Sequence, residues 1–488
     1  MKRSILMLFP AALLCLAGVI RVPSEQPSIQ AGLNAAGTGD TVLVAADTYP
    51  ERVTWPAVDG IHLLSEQGAE ATVIDAEGSG RVLTMNAIAY TSATVVEGFT
   101  ITNGKQTGGA AGIDCQGAPV FRCNRVVDNL ALQYSYGGGV HAVGAPVFER
   151  NLFLRDSLQV RDIPGFRYGG AVYCSGPGVF YGNVFRDNAV FDSSCSGYRH
   201  GGAIHVASGA ALVFGNLFRG NAARMTDGSG FAYGGAVCVG TGASAYVANN
   251  TFVGNVCAAH ISYGSAVYAP SGPTVIKNNV VVHDTCYGSG GGALASDTTA
   301  MVFDHNDVWQ NHPSDYHDCT AGPNAISLDP LFAVAPFGDH CLGQVAAGQA
   351  EDSPCLDAGD SLLATSPLDL DSLMHAWTTR TDSVPDAGAV DIGFHYALSP
   401  ATGIAERPAR PVRPALEVSP NPASGREVRL DGRVVGAVRV VDASGRVVSR
   451  HAARRAYGPV LLDISGLRTG VYAVVTETGC RARLLVRR

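Results

Sequence analysis

Along most of the chain the apolar residues fall in short clusters broken by Gly and Asn, with no run at helical spacing. Phe148, Phe180, Val213, Val247, Ile276 and Phe303 each stand three residues before an Asn. Phe153, Phe185, Phe218, Phe252, Val281 and Val308 each stand two after it. Runs of about 4–6 residues bounded by such breakers predict strands rather than helices. Within them, side chains alternate between two faces, so Ile113, Val140, Val172, Ile204, Val237, Val267 and Leu294 form an inward column.

The clusters recur in register. A Gly-Gly-small-apolar block begins at Gly137, Gly169, Gly201, Gly234, Gly264 (as Gly-Ser) and Gly291, with a degenerate copy at Ala110; the steps are 27, 32, 32, 33, 30 and 27 residues. A second mark pairs Asn with Asn or Asp five later: Asn124/Asn129, Asn151/Asp156, Asn183/Asn188, Asn216/Asn221, Asn250/Asn255, Asn279/Asp284 and Asn306/Asn311. One repeat cannot bury an apolar face alone; stacked repeats can, each backbone pairing with the coil above and below. Asn suits such a stack because it tolerates a left-handed corner and its amide can bond the next Asn along the axis.

This predicts an all-β chain, a right-handed parallel β-helix. The repeat resembles the pectin-lyase-like and polymorphic outer-membrane β-helix families, over roughly residues 20–397. The stretch from Val22 to Ala36 reads as a strand and a short capping helix with Ser28 as N-cap and Ile29 and Leu33 on one face. It is similar to the N-terminal cap of secreted β-helix proteins, as is the stretch from Asp47 to Glu51. Asp329–Phe332, Ser353–Gly359 and Val390–Gly393 resemble the families' closing segment, although Gly393-Phe394-His395-Tyr396 departs from the usual ending.

Both ends carry targeting signals. Lys2 and Arg3 precede the apolar stretch from Ile5 to Ile20, too short and too terminal for a membrane span, so residues 1–18 read as a signal peptide. Residues 19–397 form the β-helix, and 398–414, rich in Pro and Arg, a stiff linker. From 415 to 488 the pattern turns to strands and hairpins of a β-sandwich. Ser419-Pro420-Asn421-Pro422, the Asp442–Arg446 turn and Leu467-Arg468-Thr469-Gly470-Val471-Tyr472 resemble, in order, the C-terminal sorting domain of the type IX secretion system. The resemblance implies a partner, the outer-membrane secretion machinery, and a secreted or cell-surface location.

Charge and cysteines sharpen this picture. Residues 401–488 hold 16 Arg and seven acidic residues in a chain of net charge −8, so the body is acidic, which argues against nucleic acid. Twelve Cys become eleven once Cys15 leaves with the signal peptide, in an oxidising compartment. Cys257 and Cys286 share a column on adjacent coils and are expected to form a disulfide; Cys115 with Cys123 and Cys341 with Cys355 are further candidates.

For chemistry, the outward neighbours of the inward column read Asp114, His141, Tyr173, His205, Cys238, Tyr268 and Ala295. A second column precedes the glycines: Tyr136, Tyr168, His200, Tyr233 and Tyr263. A strip of Tyr and His suits an extended polymer such as a polysaccharide, but stacked aromatics can equally seal successive coils. Arg186 and Arg219 share a column and are candidates for an anion site. Asp304, Asp307, Asp315 and Asp318 are cation candidates, with Ca²⁺ the one cofactor left open, though their spacing fits no loop motif and reads first as a solvated polar loop. No Asn-Thr-Asp string or lyase lysine motif is present, so no catalytic residue is assigned. Three functions remain open: a carbohydrate-binding surface protein without clear catalytic machinery, a polysaccharide lyase or glycoside hydrolase, and a purely structural or adhesin-like module.

Overall fold

The computed structural model describes residues 17–398, apart from 134–135, 161–164, 193–196, 226–229, 298–300 and 361–369, and, near the C-terminus, 417–419, 427–431, 434–442, 446–456, 460–476 and 481–486. The signal peptide up to residue 16 and the linker after 398 lie outside the described residues. The chain divides into two units, Met1–Ala405 and Glu406–Arg488.

The first unit is a parallel β-solenoid. One coil runs through a front strand (Val140–Gly144), a side strand (Val147–Glu149), a back strand (Leu152–Leu154) and an arm of two strands, Ser157–Val160 and Gly165–Tyr168. The coils stack in register into a side sheet of 11 strands and front, back and arm sheets of 10 each. Inside lie ladders of like residues, including Phe121, Phe148 and Phe180 on the side sheet and Phe153, Phe185, Phe218 and Phe252 on the back sheet. Rings of Phe153 and Phe185 sit 4.6 Å apart at an interplanar angle of 3°, so each coil positions the next ring.

The Asn marks stand at the two ends of the back strands and, Asn311 apart, are buried. Where Asn follows Asn along a ladder, its Oδ1 accepts from the backbone N–H and the amide of the Asn one coil earlier; Asn151 donates to Asn183 Oδ1 at 2.8 and 3.1 Å. Its own amide donates to a carbonyl of the preceding coil, as Asn183 does to Phe148 O at 2.8 Å. The left-handed residue of each corner is the one before the ladder Asn, not the Asn itself: Arg150, Arg155 and Asp187 have φ of 50°, 55° and 57°. The division is physical, because a ladder Asn needs its side chain turned inward along the axis while its neighbour makes the bend. Asp128 and Arg155, at successive corners, are joined by a two-pronged ion pair at 2.7 and 2.5 Å.

The N-terminal helix Ile29–Ala35 caps the first coil, with Ile29 and Leu33 fully buried. Ser28 Oγ accepts from Ala31 N, and the Glu51 carboxylate accepts from the N–H groups of Ile29 and Gln30, placing negative charge at the helix start. The closing segment, by contrast, does not simply cover the last coil. Residues 332–360 and 370–397 return along the outside of the solenoid over the side and back sheets. There Leu370, Met374 and Trp377 pack on Phe214 and Ala248, and Phe394 and Tyr396 pack on Val184 and Leu217. Asn249 Nδ2 donates to Asp391 O and Phe394 N to Thr251 Oγ1. A buried Asp386–His395 contact of 3.0 Å ties the segment to itself.

The C-terminal unit, taken by itself, holds two antiparallel sheets. Glu417–Ser419, Glu427–Asp431 and Val460–Asp463 form one, and Val434–Val441, Val447–Ala456, Gly470–Thr476 and Arg481–Val486 the other. Val438, Val440, Leu462, Val474 and Leu484 are buried among the described residues of this unit.

Candidate functional site

With the side and back sheets partly covered by the closing segment, the front sheet and the arms beside it frame an open groove of about 530 Å³. Its floor and wall are the two aromatic columns. The Gly-Gly turn makes this meeting possible. Gly169 has φ of 70°, and a Cβ there would lie 2.2 Å from Val172 O; a Cβ on Gly170 would lie 2.0 Å from Gly202 O. The backbone therefore folds tightly enough to swing the pre-glycine ring over the outward column. Tyr168 lies 4.5 Å from His205 and Tyr233 lies 4.6 Å from Tyr268 between ring centroids.

Along the axis the rings stack in files. Tyr136, Tyr168, His200, Tyr233 and Tyr263 follow one another at 5.8, 5.0, 5.1 and 5.8 Å. His141, Tyr173 and His205 follow at 5.4 and 5.7 Å. A third file, not anticipated from the sequence, is Phe166, Tyr198 and Phe231 on the arms, at 4.6 and 4.8 Å. Its signal was present: each stands two residues before the pre-glycine column. Tyr136 at the rim is 44% exposed and Phe166 is 53% exposed, so the groove is open to a ligand.

This stacking changes the chemistry offered. Near-parallel rings in files cover one another's faces and turn their edges outward, so the groove presents phenol hydroxyls and imidazole nitrogens more than flat ring faces. Tyr268 Oη donates to Asp297 at 2.7 Å. The hydroxyls of Tyr136, Tyr168, Tyr173, Tyr198 and Tyr233 make no hydrogen bond to the protein among the described residues. Burial pushes the Tyr168 hydroxyl up to about 12, so it stays protonated near neutral pH.

At one end stands an ionic relay. His141 Nδ1 lies 2.8 Å from Asp114 Oδ1, and Arg81 Nη1 lies 3.0 Å from Asp114 Oδ2. Burial would raise the Asp114 carboxyl, but the His141 and Arg81 contacts outweigh it and hold it below the usual value. Near the middle, His200, His205 and Cys238 come together on two coils, their donor atoms all within 4.8 Å of one another. Burial pushes His200 down to about 4 and His205 further below its ordinary value.

The other candidates lie elsewhere. Arg186 and Arg219 are in register on the back sheet, but Arg219 pairs with Asp339 at 2.8 Å and Arg186 lies 3.9 Å from Asp187. Asp315 ends the second ladder by accepting from Asn311 N and Nδ2. Asp307 accepts from Leu328 N and from Cys355 Sγ, Asp304 accepts from Asn324 Nδ2, and Asp318 lies 3.3 Å from His317. The four carboxylates thus make separate local contacts, and Asp304 has His305 and Asp360 within 4.8 Å between donor atoms.

The expected disulfide is corrected. Cys257 and Cys286 are register partners and both are buried, yet both are free thiols, donating to Tyr263 O and Gly292 O. Each thiol hydrogen goes to a main-chain carbonyl six residues further along its own chain, so the register partners sit side by side as thiols. Cys115, Cys123, Cys341 and Cys355 are free as well.

Residues 417–484 match the family model described as Secretion system C-terminal sorting domain. The chain is a β-solenoid that carries a type IX secretion sorting domain. The sorting domain directs it to the cell surface or extracellular space and implies engagement with the type IX secretion machinery. Among the described residues no helix is long and apolar enough to cross a membrane. Neither a curated protein nor a solved structure matches the chain.

Proposed function

We propose that this secreted solenoid binds an extended carbohydrate chain along its aromatic groove. One observation carries the reading: tyrosine hydroxyls without hydrogen bonds to the protein among the described residues, on Tyr136, Tyr168, Tyr173, Tyr198 and Tyr233, line an open groove on a surface protein. Such groups donate to and accept from sugar hydroxyls, and their repetition suits a polymer better than a compact ligand. Ring faces at the exposed rim, on Tyr136 and Phe166, add apolar contact to a sugar ring.

Tyr168→Phe with Tyr173→Phe tests this, because the pair keeps the stacked files and removes only two hydroxyls. A polysaccharide array followed by affinity electrophoresis should show retention by the wild-type chain. The double variant should bind about tenfold or more weaker, each lost hydrogen bond contributing roughly 1 kcal/mol. Retention identical in both chains, or none across a broad panel, would remove the reading.

The Asp114–His141 contact favours a second reading, a lyase or glycoside hydrolase. Asp114 fixes the His141 ring through Nδ1, leaving Nε2 to exchange a proton with a bound sugar. Release of unsaturated or reducing ends, abolished by His141→Gln, would establish it in place of simple binding.

A further inference from the structure

We propose that His200, His205 and Cys238 form a site for a zinc-class divalent cation on the floor of the groove. The three come from two adjacent coils. His205 and Cys238 face each other across the front sheet as register partners, and the Gly-Gly turn brings His200 over them. Cys238 Sγ and His200 Nδ1 are 3.5 Å apart. Two such ligands on one tetrahedral zinc, with Zn–N about 2.0 Å and Zn–S about 2.3 Å, are separated by roughly 3.5 Å. The pair therefore stands at the ligand–ligand edge of a zinc tetrahedron before any ion enters.

A second, independent observation points to a ligand here. His205 Nδ1 is shut off from solvent and has no hydrogen-bond partner. A buried imidazole nitrogen without a partner is costly and calls for an explanation. Metal binding takes neutral imidazoles and a thiolate, so affinity should rise with pH. His₂Cys is a borderline-to-soft donor set that selects zinc or copper over calcium. All three residues line the groove, so a cation there keeps a coordination position for water or for a ligand lying along the aromatic files. Neither column alone discloses the site, because its ligands belong to both.

The test uses the purified full chain with Co²⁺ alone as a spectroscopic stand-in and Zn²⁺ as competitor. One Co²⁺ per chain should bind with a thiolate-to-metal charge-transfer band that Zn²⁺ displaces. Cys238→Ser should abolish the band, and His205→Gln should weaken Zn²⁺ binding at least about tenfold. Cys257→Ser, which alters the neighbouring thiol pair, should leave the band intact. Circular dichroism reports whether each variant is folded; if Cys238→Ser is not, His200→Gln and His205→Gln decide by the same readout. A folded wild-type chain without the band, or a band that survives loss of Cys238 or both imidazoles, overturns the site. Both results are independent of carbohydrate binding.

Discussion

Asn183→Ala should destabilise the solenoid by about 4 kcal/mol, among the largest effects available to a single substitution in this chain. Asn183 is fully buried at the centre of the first ladder. Its Oδ1 accepts from Asn151 N and Nδ2, and its amide donates to Phe148 O and Asn216 Oδ1. Truncation orphans the Asn151 backbone N–H where water does not reach, at about 1–3 kcal/mol, removes three further hydrogen bonds at roughly 1 kcal/mol each and leaves a small void. A solenoid is held together mainly by contacts between neighbouring coils, so the loss should appear as a break at this coil rather than a uniform loosening. Hydrogen exchange should show lost protection in the strands flanking residue 183, with the N-terminal coils little changed, and the urea midpoint should fall. Asp187→Asn, at the exposed corner of the same coil, is the contrasting control; its ion pairs are solvent-screened and its removal should shift stability by less than about 1 kcal/mol. A ladder variant as mild as the corner variant would show that the amide stack contributes little beyond the backbone ladders.

Much of this architecture was legible because a solenoid repeats its physics at a fixed period. The inward column, the Asn pairs and the Ser28 cap each follow from local spacing, and the sorting domain from the resemblance its motifs carry. The aromatic groove was only half legible. Tyr173 and His205 could be placed facing away from the core by alternation, but alternation stops at Gly169-Gly170, so the swing of Tyr168 over His205 could not be read from the columns. Phe166 and Tyr198 were passed over because they sit in arms of varying length, where register fails. The same gap hid the meeting of His200 with Cys238. The left-handed corners were misassigned to the Asn residues because composition favours Asn there, whereas the ladder needs Asn for its amide and gives the bend to Arg150, Arg155 and Asp187. Cys257 and Cys286 were placed together correctly by column, but sharing a column does not set the oxidation state, and each thiol donates to a main-chain carbonyl.

The ladder also carries two carboxylates, and replacing them should stabilise the protein in a pH-dependent way. Asp156 Oδ1 accepts from Asn129 N and Nδ2 as an Asn would, but Oδ2 occupies the position of the missing amide and has no partner. At the equivalent rung Asn188 donates to Phe153 O and to Asn221 Oδ1; at rung 156 the corresponding groups are acceptors facing an acceptor. Burial, opposed only in part by the Asn129 hydrogen bonds, raises the Asp156 carboxyl to about 8. Asp284 repeats the arrangement, its Oδ2 likewise unpartnered and its carboxyl raised well above the usual value by burial. A carboxyl with a folded pKa above its unfolded value of about 3.9 favours folding fully only below that unfolded value. Stability is then lost as pH rises from about 4 toward about 8, where the folded carboxyl at last ionises. Asp156→Asn removes this loss and restores the missing donor. The variant should therefore match the wild-type chain near pH 4 and exceed it by roughly 3 kcal/mol at pH 7. Asp284→Asn should act in the same direction, and because the two rungs are several coils apart their gains should add. Thermal melts of both single variants and the double variant across this pH range give the measurement. A gain that is independent of pH would mean that the added donor alone matters. A loss at pH 8 would mean that the ladder holds its carboxylates ionised, contrary to the burial of Oδ2 beside main-chain and amide oxygens.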